Sequence, residues 1–176
     1  DCAAMPAIAA WDFYLATGQT RLLYEMLPGI LRYAQEADSR YDEQLQLVHA
    51  NMCLAQDAFE EPENGGYCLG TEILFACMYE AAAKICELTG TEPEKRVQWG
   101  GRAQAMRESI RSRFWKEDAG CFCSGPKGSK AYENSWWEMT GTEMALWPRF
   151  GIASPEQTKR FLDVIKRNPD ALTLYG

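Results

Sequence analysis

Apolar residues recur along the chain with helical spacing, in stretches closed by single glycines. Ile8, Trp11 and Leu15 share one face of a helix that Pro6 can open and Gly18 can end. Thr20 stands at the N-cap of the next helix, where Leu23, Met26, Leu27, Ile30, Leu31 and Ala34 follow the i, i+3, i+4, i+7 pattern and Pro28-Gly29 predicts a kink. Ile73 to Ala83 is apolar on nearly every side, which predicts a helix buried all round and ending at Gly90. Thr91-Glu92-Pro93-Glu94 fits a capping box ahead of the stripe Trp99, Ala103, Met106, Ile110 and Phe114. Ser135-Trp136-Trp137-Glu138 fits a second capping box, for a helix running towards Gly151. Ser154-Pro155-Glu156-Gln157 is the strongest start signal, with Phe161, Leu162 and Ile165 continuing that helix.

The links alternate in length. Those at Gly18, Gly90 and Gly151 are short and force antiparallel neighbours, so the chain reads as three αα-hairpins. The links over 38–68 and 115–134 are long, and long connectors in compact domains are usually functional. Each hairpin returns the chain to the side it entered from, so both connectors are expected on one face. Within the second, 115–122 reads as a helix end, a tight turn and a short β-hairpin. Leu45 to Ala55 is ambiguous between strand and helix. The expected fold class is all-α, a single segment over 1–176. A ring of six such hairpins needs about twice this length, so the chain reads as about half of an (α/α)6 toroid. The start at Asp1 and the apolar run Leu172 to Gly176 also read as cuts through a longer chain. Helices at unfinished edges would show apolar surface, which predicts self-association there.

Composition narrows the partners. The net charge is -7 and Lys and Arg are scattered, so no footprint for nucleic acid is present. No apolar run approaches the ~20 residues of a membrane span, and no basic stretch precedes an apolar one as in a signal peptide. Seven cysteines, an odd number, argue against a closed disulfide framework and for a reducing, cytoplasmic setting. Cys77 and Cys86 read as small core residues. With His49 the single histidine and Cys121-Phe122-Cys123 misspaced for zinc, no metal or other cofactor is expected.

Candidate chemistry lies in the connectors. Asp57, Glu60, Glu61 and Glu63 crowd the first, which leads into the buried helix with Glu72 in its first turn. Glycosidic cleavage needs a carboxylic acid to protonate the leaving oxygen and a second carboxylate as base or nucleophile. A carboxylate beside a buried helix start is well placed for pKa tuning. The plain reading of the same run is a solvated acidic turn. The second connector ends in Trp136, Trp137 and Glu138, where ring faces can stack on pyranose faces and Glu can bond hydroxyls. The plain reading puts one Trp in the core and leaves Glu138 closing the cap. Both Trp side chains cannot share one helix face, so one is expected at the connector surface.

Ala10-Trp11-Asp12-Phe13-Tyr14-Leu15-Ala16-Thr17-Gly18-Gln19 resembles a hairpin of six-hairpin glycosidases, with Gln19 where Asp is usual. Phe114-Trp115 followed by Gly120 and Phe122 is similar to their turn after the outer helix. Gly141 to Leu146 with Phe150-Gly151-Ile152-Ala153-Ser154-Pro155-Glu156-Gln157 resembles a hairpin of α-L-rhamnosidases, and trehalases and processing α-glucosidases share the organisation. The resemblance implies a carbohydrate-active enzyme that hydrolyses O-glycosidic bonds of a glycoside, oligosaccharide or polysaccharide. For the trehalase and processing-glucosidase branch it implies Asp57 as general acid, although Ala55-Gln56-Asp57 replaces the usual Gly-Trp-Asp. For the rhamnosidase branch it implies a general acid upstream of the matched region, outside this sequence. In both the partner carboxylate is on a later hairpin. Glu72, Trp136, Trp137 and Glu138 are then substrate contacts, and this piece alone is expected to be inactive. The alternatives are a non-catalytic helical scaffold or carbohydrate-binding module, and a sugar epimerase on the same architecture, which the single His49 disfavours.

Overall fold

The structure is a computed structural model and describes residues 3–50, 65–135 and 139–167. Seven α-helices among them carry the chain: α1 (Met5–Thr17), α2 (Arg21–Asp38), α3 (Leu69–Thr89), α4 (Pro93–Arg113), α5 (Lys130–Glu133), α6 (Met139–Leu146) and α7 (Pro155–Arg167). Two small antiparallel hairpins sit in the connectors, β1 (Tyr41–Asp42) with β2 (Leu47–Val48), and β3 (Trp115–Lys116) with β4 (Cys121–Phe122). The all-α class and the three hairpins, α1/α2, α3/α4 and α6/α7, agree with the sequence pattern. The chain forms two compact units, Asp1–His49 with Leu74–Met106, and Ala50–Ile73 with Arg107–Gly176.

In the first unit, Gly18 ends α1 in the left-handed region at φ 71°, its N–H on the Tyr14 carbonyl at 2.7 Å. The buried face of α1 is Ala7 and Ala10, with the N-cap Ala4 buried ahead of them; Leu15 is 63% exposed, so the expected Ile8/Trp11/Leu15 stripe is not the one that packs. Small side chains let helices approach closely, and that decides the face. Thr20 is the N-cap of α2 but its side chain makes no cap bond, and α2 runs as one helix through Pro28. Leu23, Ile30, Ala34 and Ala37 are its buried stripe. From Ile73 to Ala83, α3 is buried on nearly all sides, with partial exposure at Leu74, Cys77 and Glu80. The turn into α4 differs from expectation. Pro93 is the first helical residue, Glu92 before it has φ 46°, and Thr91 Oγ1 pairs with Thr89 Oγ1 at 2.9 Å instead of capping. Proline's preference for the first turn outweighs the Thr91–Glu94 box.

In the second unit, the Ile110–Phe114 end of the α4 stripe is wholly buried. Both α6 and α7 lie against β4. The expected box at α7 forms in full: Gln157 N–H donates to Ser154 Oγ at 3.1 Å, and Ser154 N–H to Gln157 Oε1 at 2.9 Å. Arg107 and Arg111 clasp the preceding turn by donating to the carbonyls of Phe150, Gly151 and Ile152 at 2.6–2.9 Å. Ser154→Ala is expected to cost about 1 kcal/mol, read as faster hydrogen exchange across the first turn of α7, with Ser154→Asp near wild type. Glu156 in that turn is held below the usual carboxylate range by its own backbone N–H and then by Ser154. A depressed carboxyl stabilises the fold above its unfolded pKa and loses that contribution as pH falls through its folded value. Acidification below about pH 4.5 should therefore loosen the same turn.

Candidate functional site

The start of α3 is where the two connectors meet. Leu69 N–H, at the first position of α3, donates to the carbonyl of Ser124 in the second connector at 2.9 Å. Gly65, at the end of the first connector, has φ 67°, and a Cβ there would stand 3.8 Å from Cβ of Ser129. Gly66 accepts from the backbone of Ala50 at 3.2 Å, which draws both flanks of the first connector together. These contacts bring segments of the two connectors together within the second unit.

Buried polar groups gather in this unit. Glu72 is 0% exposed, on the first turn of α3, beside Thr71 at 1%; Ser124, Ser129 and Thr142 are also buried. Taking a carboxylate out of water is costly unless its surroundings compensate. A helix N-terminus is a favourable place for one, because the unpaired N–H groups there carry partial positive charge. Ser129 has a plain structural duty as N-cap of α5, with Tyr132 N–H on its Oγ at 3.1 Å. Ser124, Ser129 and Thr142 did not stand out from the sequence; only Gly128-Ser129 ahead of Lys130 carried a turn-and-cap signal.

The β3–β4 hairpin holds the second connector in place. Trp115 and Phe122 face each other edge-on, ring centroids 5.0 Å apart, and the Trp115 indole donates to Glu117 at 2.6 Å. Tyr132 OH donates to the Trp115 carbonyl at 3.2 Å, and Lys116 Nζ reaches the carbonyls of Tyr132 and Glu133 at 3.0 and 2.8 Å. Of the sequence candidates, Glu72 is therefore placed at the connector junction. Asp57, Trp136, Trp137 and Glu138 lie outside the described residues. Among the described residues no group of three or more His, Cys, Asp or Glu is arranged to hold a metal, and no helix is long and apolar enough to cross a membrane.

The first unit has its own polar cluster, centred on Asp38 at the last position of α2. Lys95 donates to it at 2.9 Å, the Trp99 indole reaches both its oxygens at 3.1 Å, and Arg102 completes the ion pair. Arg102 also bonds Glu43 at 2.7 Å and lies 4.1 Å from the ring centroid of Tyr41. Burial, and then the charge of Asp38, push the Tyr79 hydroxyl far above the ordinary tyrosine range, so it stays protonated. With every strong donor turned onto one carboxylate, this cluster reads as a structural clamp between α2 and α4 rather than a reacting centre.

No protein-family model matches the chain, and no curated protein matches it in sequence. Among solved structures, its fold is similar to that of a rhamnosidase from Klebsiella oxytoca with rhamnose bound, at 16% sequence identity and a TM-score of 0.61. The likeness covers 93% of this chain and 29% of that one. The chain thus shares the all-α, toroid-like fold of paired helices with a segment of a rhamnosidase.

Proposed function

We propose that this chain is part of the catalytic domain of a glycoside hydrolase, one 1–176 segment of its helical toroid, acting on the O-glycosidic bond of a rhamnoside or related glycoside. The observation that carries the reading is the likeness of nearly the whole chain to a segment of a rhamnosidase. The junction of two connectors at the start of α3, with Glu72 buried beside it, supports it. In this reading Asp57 is the general acid, Trp136 and Trp137 stack on the sugar, and Glu72 and Glu138 bind its hydroxyls. The second carboxylate comes from another part of the domain.

Two measurements test this. Ligand-observed NMR of the chain with L-rhamnose and an aryl rhamnoside should show binding that Trp136→Ala and Trp137→Ala weaken. In a domain that contains the chain and cleaves the glycoside, Asp57→Asn should lower kcat by about 10²–10⁴, abolish the alkaline limb of the pH profile and leave KM nearly unchanged. Unchanged hydrolysis would remove Asp57 from the role. Binding by the chain without any effect of Asp57 would favour a carbohydrate-binding module.

A further inference from the structure

The β3–β4 hairpin carries a pair of thiols that glycoside chemistry does not use. Lys116 and Cys121 are cross-strand partners, and Cys123 continues the ladder with its N–H on the Phe114 carbonyl at 2.8 Å. Alternate strand residues share a face, so Cys121, Cys123 and Lys116 lie on one side of the hairpin, opposite Trp115 and Phe122. Tyr132 roofs that side: its ring centroid is 5.5 Å from Lys116 Nζ, and its carbonyl is 4.0 Å from Cys123 Sγ. Both cysteines are unoxidised, Cys123 fully buried and Cys121 6% exposed. The neighbouring Cys123 thiol lowers the pKa of Cys121 below the ordinary thiol range and Cys121 in turn pushes that of Cys123 far up; the Lys116 ammonium favours both thiolates and Asp118 opposes them.

From this geometry we propose that Cys121 and Cys123 form a bis-thiolate site for a soft monovalent d10 cation such as Cu(I). Three features select that class. Thiolates are soft ligands and prefer soft ions. Two thiols at alternate positions of one strand supply a two-sulfur ligand set, which suits two-coordination and not the four ligands of structural zinc. Two thiolates with a monovalent cation carry one net negative charge, and Lys116 supplies the compensating positive one. On binding, each thiol passes its proton to solvent as an S–metal bond forms, and no electrons change hands. Disulfide closure fits less well. Alternate strand residues stand about 6.6 Å apart, at the outer edge of the roughly 4.4–6.8 Å window for disulfide Cα pairs.

The test uses the reduced whole chain without oxygen, with Cu(I) supplied as the complex of a chromophoric chelator. One Cu(I) per chain should be withdrawn, and X-ray absorption should show two sulfur neighbours. Cys121→Ser and Cys123→Ser should each weaken binding by about a hundredfold or more. Cys77→Ser should not, and Lys116→Met should cost about tenfold where Lys116→Arg does not. Equal Cu(I) retention by a Cys121→Ser variant with wild-type circular dichroism would overturn the site, as would three or more sulfur neighbours. If Cys121→Ser does not fold, phenylarsine oxide on the native chain decides: an adduct bridging the peptide with Cys121 and Cys123 supports the dithiol, and one elsewhere refutes it.

Discussion

Asp38→Ala is expected to lower the stability of the first unit by about 3–5 kcal/mol. The Asp38 side chain is 13% exposed, as is that of Arg102, while Lys95 is a third exposed. Removing the carboxylate leaves a largely buried guanidinium without its main counter-charge and strips the Trp99 indole of its acceptor. The exposed half of the cluster, Lys95 and Glu43, contributes less because water screens it. A carboxylate at the end of α2 also opposes the helix dipole, by about 0.3–1 kcal/mol, so the residue earns its place only through its donors. Asp38→Asn keeps an acceptor and should fall between wild type and Ala. Urea unfolding followed by hydrogen exchange in α2 and α4 measures both. A loss under 1 kcal/mol for Asp38→Ala would mean that the donors find water instead.

Phe122→Ala should have a comparable effect in the second unit. Phe122 is 0% exposed, meets Trp115 edge-on, and sits on the strand against which both α6 and α7 pack. Truncating a buried Phe costs about 3–5 kcal/mol through lost transfer energy and a residual cavity. The loss reaches beyond the hairpin. Two residues further on, Ser124 receives the first N–H of α3, so a loosened β4 should release the connector junction. The expected signature is early exchange of the Leu69 amide in Phe122→Ala, with Phe122→Leu largely restoring protection. Protection at Leu69 that survives Phe122→Ala would show that β4 does not hold the junction.

Local signals in the sequence carried as far as local physics reaches. The Trp99–Phe114 stripe, the buried helix after Glu72, the Ser154 capping box and the 115–122 hairpin are all set by neighbours within a turn or two, and all appear in the structure. The alanine face of α1 was not legible, because hydrophobicity favours Ile8 and Leu15 while close packing favours Ala7 and Ala10. Thr91 failed as a cap because Pro93 took the first helical position. The Asp38 clamp joins residues 57 to 64 apart, and no periodicity reports such pairs. Of the candidate site, the meeting of the connectors followed from hairpin topology, and Glu72 from its place at the start of a buried helix. Ser124, Ser129 and Thr142 are buried by tertiary packing that short polar side chains do not announce.

The bond from Leu69 to Ser124 spans 55 residues. A ribosome adding about 5–20 residues per second needs roughly 3–11 s to make that stretch. For that interval the apolar start of α3 is synthesised but lacks the strand that anchors it, whereas α1 and α2 can already pair. Maturation of this domain is therefore ordered by translation: the first hairpin closes early, and the first turn of α3 must wait for β4. Slow codons or a stall between residues 69 and 124 would prolong the exposure of that helix, and chaperone demand should rise in proportion.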